Sequence, residues 1–219
     1  MSITVNIDNT KYNIPERVTI EEWKLLQQWE FENQAHWPWI INTIMHVPVT
    51  DFDGADPKSM ELFIGLIISA MNLRSMKHQP KLDDIKFGQF VDLDCFVSVG
   101  IEKNIEEILN LLQVDTPWAN EGLAAIEQYI KWRSTIYKQY AQLFDLHGKD
   151  SDYVEEDAEF NPKEVARGWY KVIVELAGED ILKMDQITEE PLHKVLTFLQ
   201  IKKEKALAAA QQARKQKIK

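Results

Sequence analysis

The sequence predicts a mainly α-helical protein, a multi-helix domain that begins with a small N-terminal β-hairpin (ββα) unit. Two observations predict it. Apolar residues alternate with a period of two only over the first fourteen residues, and from Thr19 onwards they recur at helical intervals. With 45% hydrophobic residues and only 8 glycines among 219 residues, the chain also has enough apolar surface to form a core.

The segment 1–34 is predicted to form the ββα unit. Alternating apolar residues on either side of the turn-like Asp8 and Asn9 predict two short strands. Thr19 and Glu22 have the spacing of a capping box, which predicts the start of a helix. Because an isolated hairpin is only marginally stable in water, we expect the strands to pack on that helix.

The segment 35–144 is predicted to be the helical core. Trp37-Pro38-Trp39 is expected to break the preceding helix, and Gly88 is expected to form a turn. Apolar stripes then predict, in order, helices over 40–45, 57–76, 91–98, 101–112 and 117–144.

An acidic segment separates this core from a C-terminal helical part, 161–201. Seven carboxylates and one lysine between residues 145 and 159 predict a solvated loop or hinge over 145–160, open to proteolysis. Pro162 and Pro191 are each placed to open one of the last two helices.

The last segment, 202–219, differs from the rest in charge. It holds seven Lys or Arg residues and one Glu, a formal charge of +6, so the preceding residues carry −16 of the chain's net −10. Alanines at 206 and 208–210 favour a helix, so we expect a basic helical tail. Its alternatives are a solubilising end, a contact with nucleic acid, and docking on an acidic surface of this chain or a neighbouring one.

Candidate chemistry is sparse, so we predict no catalytic residue, cofactor or metal site and a protein that is not an enzyme. Cys95 is the one cysteine, and the five histidines are too far apart in sequence to pair on a helix face. The acidic stretch 51–56 lacks the glycine and glutamate positions of an EF-hand, so we interpret it as a solvated turn. A body charge of −16 disfavours binding to a phosphate backbone.

No targeting or membrane segment is predicted. The N-terminal residues lack a basic stretch followed by an apolar one. The longest apolar run, 62–71, is shorter than the roughly 20 residues that cross a bilayer. We therefore expect a soluble, cytoplasmic protein with no membrane partner.

Candidate partner contacts combine exposed aromatic anchors with basic side chains of the tail. For the tryptophans, packing in the core is the alternative. The candidates are Trp37, Trp39, Phe87, Phe90, Lys202, Lys203, Lys205, Arg214 and Lys215.

Two stretches resemble a phage group. Ile85-Lys-Phe-Gly-Gln-Phe-Val-Asp-Leu-Asp94, followed by the Ile- and Leu-rich 101–112, is similar to the tail assembly chaperones and related baseplate hub assembly proteins of contractile-tailed phages. The helical part from Gly168-Trp-Tyr to Leu199, closed by a Lys/Ala/Gln-rich tail, also resembles that group.

The resemblance implies a non-enzymatic protein that binds other tail or baseplate components during assembly, as a monomer or an oligomer. It would act in the host cytoplasm, with the virion as a second location. The alternative is a cytoplasmic adaptor or regulatory interaction module unrelated to phage, and an enzyme with an unrecognised site ranks below both.

Overall fold

The computed structural model describes residues 3–7, 10–72, 77, 79–144 and 162–217, and this part of the chain is mainly helical, as predicted. Two short strands, β1 (Ile3–Ile7) and β2 (Thr10–Ile14), pair antiparallel. The helices that follow are α1 (Ile20–Leu26), α2 (Trp37–Met45), α3 (Pro57–Asn72), α4 (Phe87–Val99), α5 (Ile101–Leu111), α6 (Ala119–Gln139), α7 (Pro162–Leu176), α8 (Ile181–Thr188) and α9 (Leu192–Lys217).

The predicted capping box is present at the start of α1. The Thr19 hydroxyl accepts a hydrogen bond from the backbone N–H of Glu22 at 3.1 Å, and the Glu22 carboxylate accepts one from the backbone N–H of Thr19 at 2.7 Å. Two N–H groups that a helix start leaves without partners are thereby satisfied.

Two expectations about helix bounds are wrong, and one helix has no predicted counterpart. Trp37-Pro38-Trp39 forms the first turn of α2, because proline fits the first positions of a helix. Gly88 lies in the first turn of α4 and makes no loop turn. Helix α8 is not predicted from the sequence, and none of its residues is buried.

Contacts divide the chain into two compact units. Unit 1 comprises Met1–Pro80 and Ile101–Gln128, and unit 2 comprises Lys81–Gly100 and Tyr129–Lys219. The five-segment division predicted from the sequence stays a prediction, and its acidic segment 145–160 lies outside the described residues.

In unit 1, α2 is the central element. It packs against α1, α3 and β2, and α1 also contacts α5. Ile40 of α2 and Phe63 of α3 are completely buried. In unit 2, α4 holds the same central place: it packs against α7, α8 and α9.

In each unit, an isolated antiparallel β-bridge connects the starts of two helices. In unit 1 the N–H of Ile20 donates to the carbonyl of Pro117 at 2.9 Å, which links the starts of α1 and α6. In unit 2 the N–H of Phe87 donates to the carbonyl of Glu190 at 2.8 Å, which links the starts of α4 and α9. Both bridges satisfy N–H groups at helix starts.

Among the helices that the structure describes, none has both the length and the apolar character needed to span a bilayer.

Candidate functional site

An apolar groove of about 620 Å³ lies between α7 and α9 of unit 2. Helix α7 lines it with Val165, Trp169 and Val172, and α9 lines it with Leu196 and Leu199. These residues recur at three- and four-residue intervals, so each set lies on one face of its helix. Because both helices pack on α4, their apolar faces border the same space.

Charged side chains also line the groove. The Lys202 ammonium lies 2.7 Å from Oε1 of Glu175, an ion pair that connects α9 to α7. The Lys203 ammonium donates to the carbonyl of Leu143, which also lines the groove, at 3.4 Å. The groove is therefore apolar with a mixed charged border.

Trp169, the largest side chain of the groove, is held by a buried carboxylate. Only 2% of Asp94 is exposed. Its Oδ2 accepts a hydrogen bond from the indole N–H of Trp169 at 2.7 Å, and its Oδ1 accepts one from the Tyr137 hydroxyl at 2.8 Å. The Arg133 guanidinium forms an ion pair with the same Oδ1. Both carboxylate oxygens are thus satisfied, which a buried charge requires.

Arg133 and Tyr137 are one turn apart on α6, so both side chains reach the same point. The guanidinium carbon of Arg133 lies 4.9 Å from the centre of the Tyr137 ring, a cation–π contact. Burial and then the negative charge of Asp94 raise the pKa of Tyr137. Burial alone would lower the pKa of Arg133, but the Asp94 carboxylate and the Tyr137 and Tyr129 side chains together outweigh burial, and the pKa is raised. Tyr137 therefore stays neutral and Arg133 stays charged at physiological pH, as suits a positioning network.

Three phenyl rings fix the other faces of the Trp169 indole. Phe87, Phe90 and Phe144 meet it edge to face, with ring centres 5.8, 5.7 and 6.1 Å away. Packing and hydrogen bonding together hold one wall of the groove in place.

Three of the predicted partner contacts lie inside the protein. Phe87 and Phe90 of α4 are completely buried beneath Trp169. Trp37 is 8% exposed, and its indole N–H donates to the carbonyl of Phe31 at 2.7 Å. These side chains contribute to packing, and of the three only Trp37 keeps a small exposed fraction.

The remaining candidates are near the surface. Trp39 in unit 1 is 48% exposed and stacks on Trp29, with ring centres 5.9 Å apart. Lys202 and Lys203 line the groove. The others lie further along α9, namely Lys205, Arg214 and Lys215, and the first two have exposed side chains. Partner contact by these residues stays a prediction.

The network of Asp94, Arg133, Tyr137 and Trp169 is absent from the residues predicted from the sequence. One signal for it exists. Asp94 occupies the position four residues after Phe90, on the apolar face of α4, where a charge needs a partner. Its three donors come from two other helices, so their identity depends on the tertiary fold.

Comparison with models of protein families, with curated proteins and with solved structures finds no match for this chain. Among the residues that the structure describes, no group of three or more His, Cys, Asp or Glu side chains could hold a metal ion.

Proposed function

We propose that this chain is a non-enzymatic protein that acts through protein–protein contacts in the assembly of a phage tail or baseplate. Its partners are other tail or baseplate proteins. It acts in the host cytoplasm during assembly, with the virion as a second location. The assembly role rests on the resemblance of residues 85–112 and of the C-terminal helical part to that group.

The groove between α7 and α9 is the observation that carries the contact function. Exposed apolar surface costs free energy in water, and a contiguous apolar surface bordered by charge is typical of a binding site. Phe198 and Leu207 are exposed apolar residues on other faces of α9, at 57% and 55% exposure, and neither lines the groove.

Charge supports a protein partner over nucleic acid. The segment 202–219 carries +6, whereas the residues before it carry −16 and would repel a phosphate backbone. An acidic protein surface can meet the basic helix without that penalty.

Tagged protein purified from cells that produce the tail, with chemical cross-linking and mass spectrometry, tests the proposal. We expect tail or baseplate components cross-linked to Lys202 or Lys205, and defective tails by electron microscopy when the gene is deleted. Normal tails in the deletion strain, with cross-links to host proteins alone, would favour the adaptor alternative. The same proposal predicts that the gene for this chain lies beside genes for tail-tube, tape-measure or baseplate proteins.

A further inference from the structure

The groove continues into a seam on the exposed part of α9. Leu196, Leu199, Lys203, Ala206, Ala210 and Ala213 follow one another at alternating spacings of three and four residues, the repeat of a coiled-coil interface. The first four line the groove. Ala210 and Ala213 extend the same face beyond it and are exposed. We call these six residues the α9 seam.

The length of the seam favours an elongated occupant. Leu196 is fully buried at its inner end, and from Leu199 to Ala213 the accessible part of the seam runs about 21 Å at 1.5 Å per residue. A compact small molecule would fill the groove but would leave Ala210 and Ala213 uncovered. A helix lying along α9 would cover both, and the small alanine side chains let a second backbone approach closely.

Charge beside the seam selects the chemistry of that helix. Lys202 and Arg214 occupy the positions that flank a coiled-coil interface, where charge decides which helix pairs. Lys202 is paired with Glu175, and Glu164 also lines the groove, so the positive charge lies mainly beyond the groove. From residue 205 to residue 217 the helix carries Lys205, Arg214, Lys215 and Lys217 and no acidic residue. Two copies of α9 would bring these like charges together, which disfavours self-pairing, whereas carboxylates on a partner helix would complement them.

We infer that the groove and the α9 seam bind one amphipathic helix of a partner protein, whose apolar face enters the groove and whose flanking positions are acidic. This inference rests on the proposed contact function and names the partner's chemistry. The groove accommodates the larger apolar side chains of the partner helix. The alanines of the α9 seam contact the part of that helix that extends beyond the groove.

Gly168 provides a variant that fills the groove without disturbing the fold. It lies in α7 and lines the groove, and a Cβ atom placed there meets no atom within 4 Å. Gly168→Leu therefore narrows the groove while keeping the helix. Gly65→Leu is the matched control, since Gly65 lies in α3 of unit 1 and a Cβ atom placed on it likewise meets no atom within 4 Å.

The probe is a synthetic four-heptad peptide with leucine at its two core positions and glutamate at its flanking positions. A second peptide carries lysine at those flanks. Binding to the full chain is measured by isothermal titration calorimetry at low and high salt. We expect the glutamate peptide to bind with a roughly micromolar dissociation constant. The lysine peptide should bind at least about ten-fold more weakly, and the affinity of the glutamate peptide should fall as the salt concentration rises.

Three variants locate the peptide. Gly168→Leu should weaken binding of the glutamate peptide about ten-fold or more, and Gly65→Leu should leave it unchanged. Arg214→Glu should weaken binding about three-fold, the size of one exposed charge contact. Lys58→Glu, a charge reversal at an exposed residue of α3 in unit 1, should leave binding nearly unchanged. Thermal melts check that each variant is folded.

Other results would overturn the inference. These are no binding of the glutamate peptide, equal binding of both peptides, or unchanged affinity of Gly168→Leu. A dimer in sedimentation equilibrium that Gly168→Leu dissociates would show that a second copy occupies the groove. The peptide assay contains no tail protein, so a negative result there does not contradict the assembly proposal. Normal tails in the deletion strain would contradict the assembly proposal and would not contradict peptide binding.

Discussion

The indole N–H of Trp169 donates to a carboxylate oxygen of Asp94 across 2.7 Å, which links the groove-lining helix α7 to the buried face of α4. A hydrogen bond to a buried charge is among the stronger ones in proteins. The shape of the groove therefore depends on a residue that does not line it, and a change at Asp94 should alter both stability and binding.

Asp94→Asn should destabilise the protein by about 2–4 kcal/mol, because Arg133 loses its buried counter-charge. Urea denaturation, with the free energy of unfolding extrapolated to water, measures the effect. Asp92→Asn is the control, since Asp92 lies on the same helix with an exposed side chain and should change the free energy by less than about 0.5 kcal/mol. Equal effects of the two substitutions would contradict the role assigned to Asp94.

Stability should fall as pH rises above about 10, the ordinary pKa of tyrosine. Burial raises the pKa of both Tyr129 and Tyr137 in the folded chain, so these groups keep their protons there while the unfolded chain loses them. The stabilisation is complete below the unfolded pKa and is lost as pH rises towards the folded pKa. Urea midpoints from about pH 8 to about pH 11 measure the decline, and Tyr137→Phe should make it less steep. If the stability of Tyr137→Phe declined with pH as steeply as that of the unchanged protein, Tyr137 would not contribute to the decline.

Gly88→Ala should destabilise the protein by about 1–2 kcal/mol. A Cβ atom at Gly88 would lie 2.8 Å from Cβ of Thr188 and 3.1 Å from its carbonyl oxygen, so α4 and the end of α8 would have to move apart. Gly65→Ala, with no atom within 4 Å, should instead stabilise by about 0.5–1 kcal/mol through helix propensity. Thermal unfolding of the two variants checks the opposite signs, and a stabilised Gly88→Ala would show that the two helices separate easily.

Removing residues 207–219 should change the melting temperature by no more than about 2 °C. Side chains from Leu207 to Arg214 are exposed, so little packing is lost. Ending the chain after Val195 should in contrast destabilise the protein strongly, because it removes the fully buried Leu196. Calorimetry on the two truncated chains separates these outcomes, and a large loss in the shorter deletion would reveal packing by the end of α9.

Local signals predict much of the secondary structure. The capping box at Thr19 and the helical character of the tail both rest on nearest neighbours in the chain, and both agree with the structure. The turn expected at Gly88 is wrong because the small size of this residue serves a contact with Thr188, far along the chain. Sequence spacing carries no information about such a contact.

The groove escapes prediction for the same reason. Phe87 and Phe90 are predicted as partner contacts, but their rings pack beneath Trp169. The stripes on α7 and α9 are visible as apolar faces, yet a face alone does not show whether another helix of the same chain covers it. Only the packing of both helices on α4 leaves the space between them open.

The bridges between helix starts also bear on how the chain folds during synthesis. Phe87 leaves the ribosome long before Glu190, whose carbonyl accepts its N–H bond. At a synthesis rate of about 5–20 residues per second, Glu190 is added on the order of 5–20 seconds after Phe87. Unit 1 is likewise interrupted, since residues 81–100 of unit 2 emerge before residues 101–128 complete it. Neither unit can finish folding from one uninterrupted stretch of nascent chain, so the part of α4 that packs on α7, α8 and α9 stays uncovered until those helices have been synthesised.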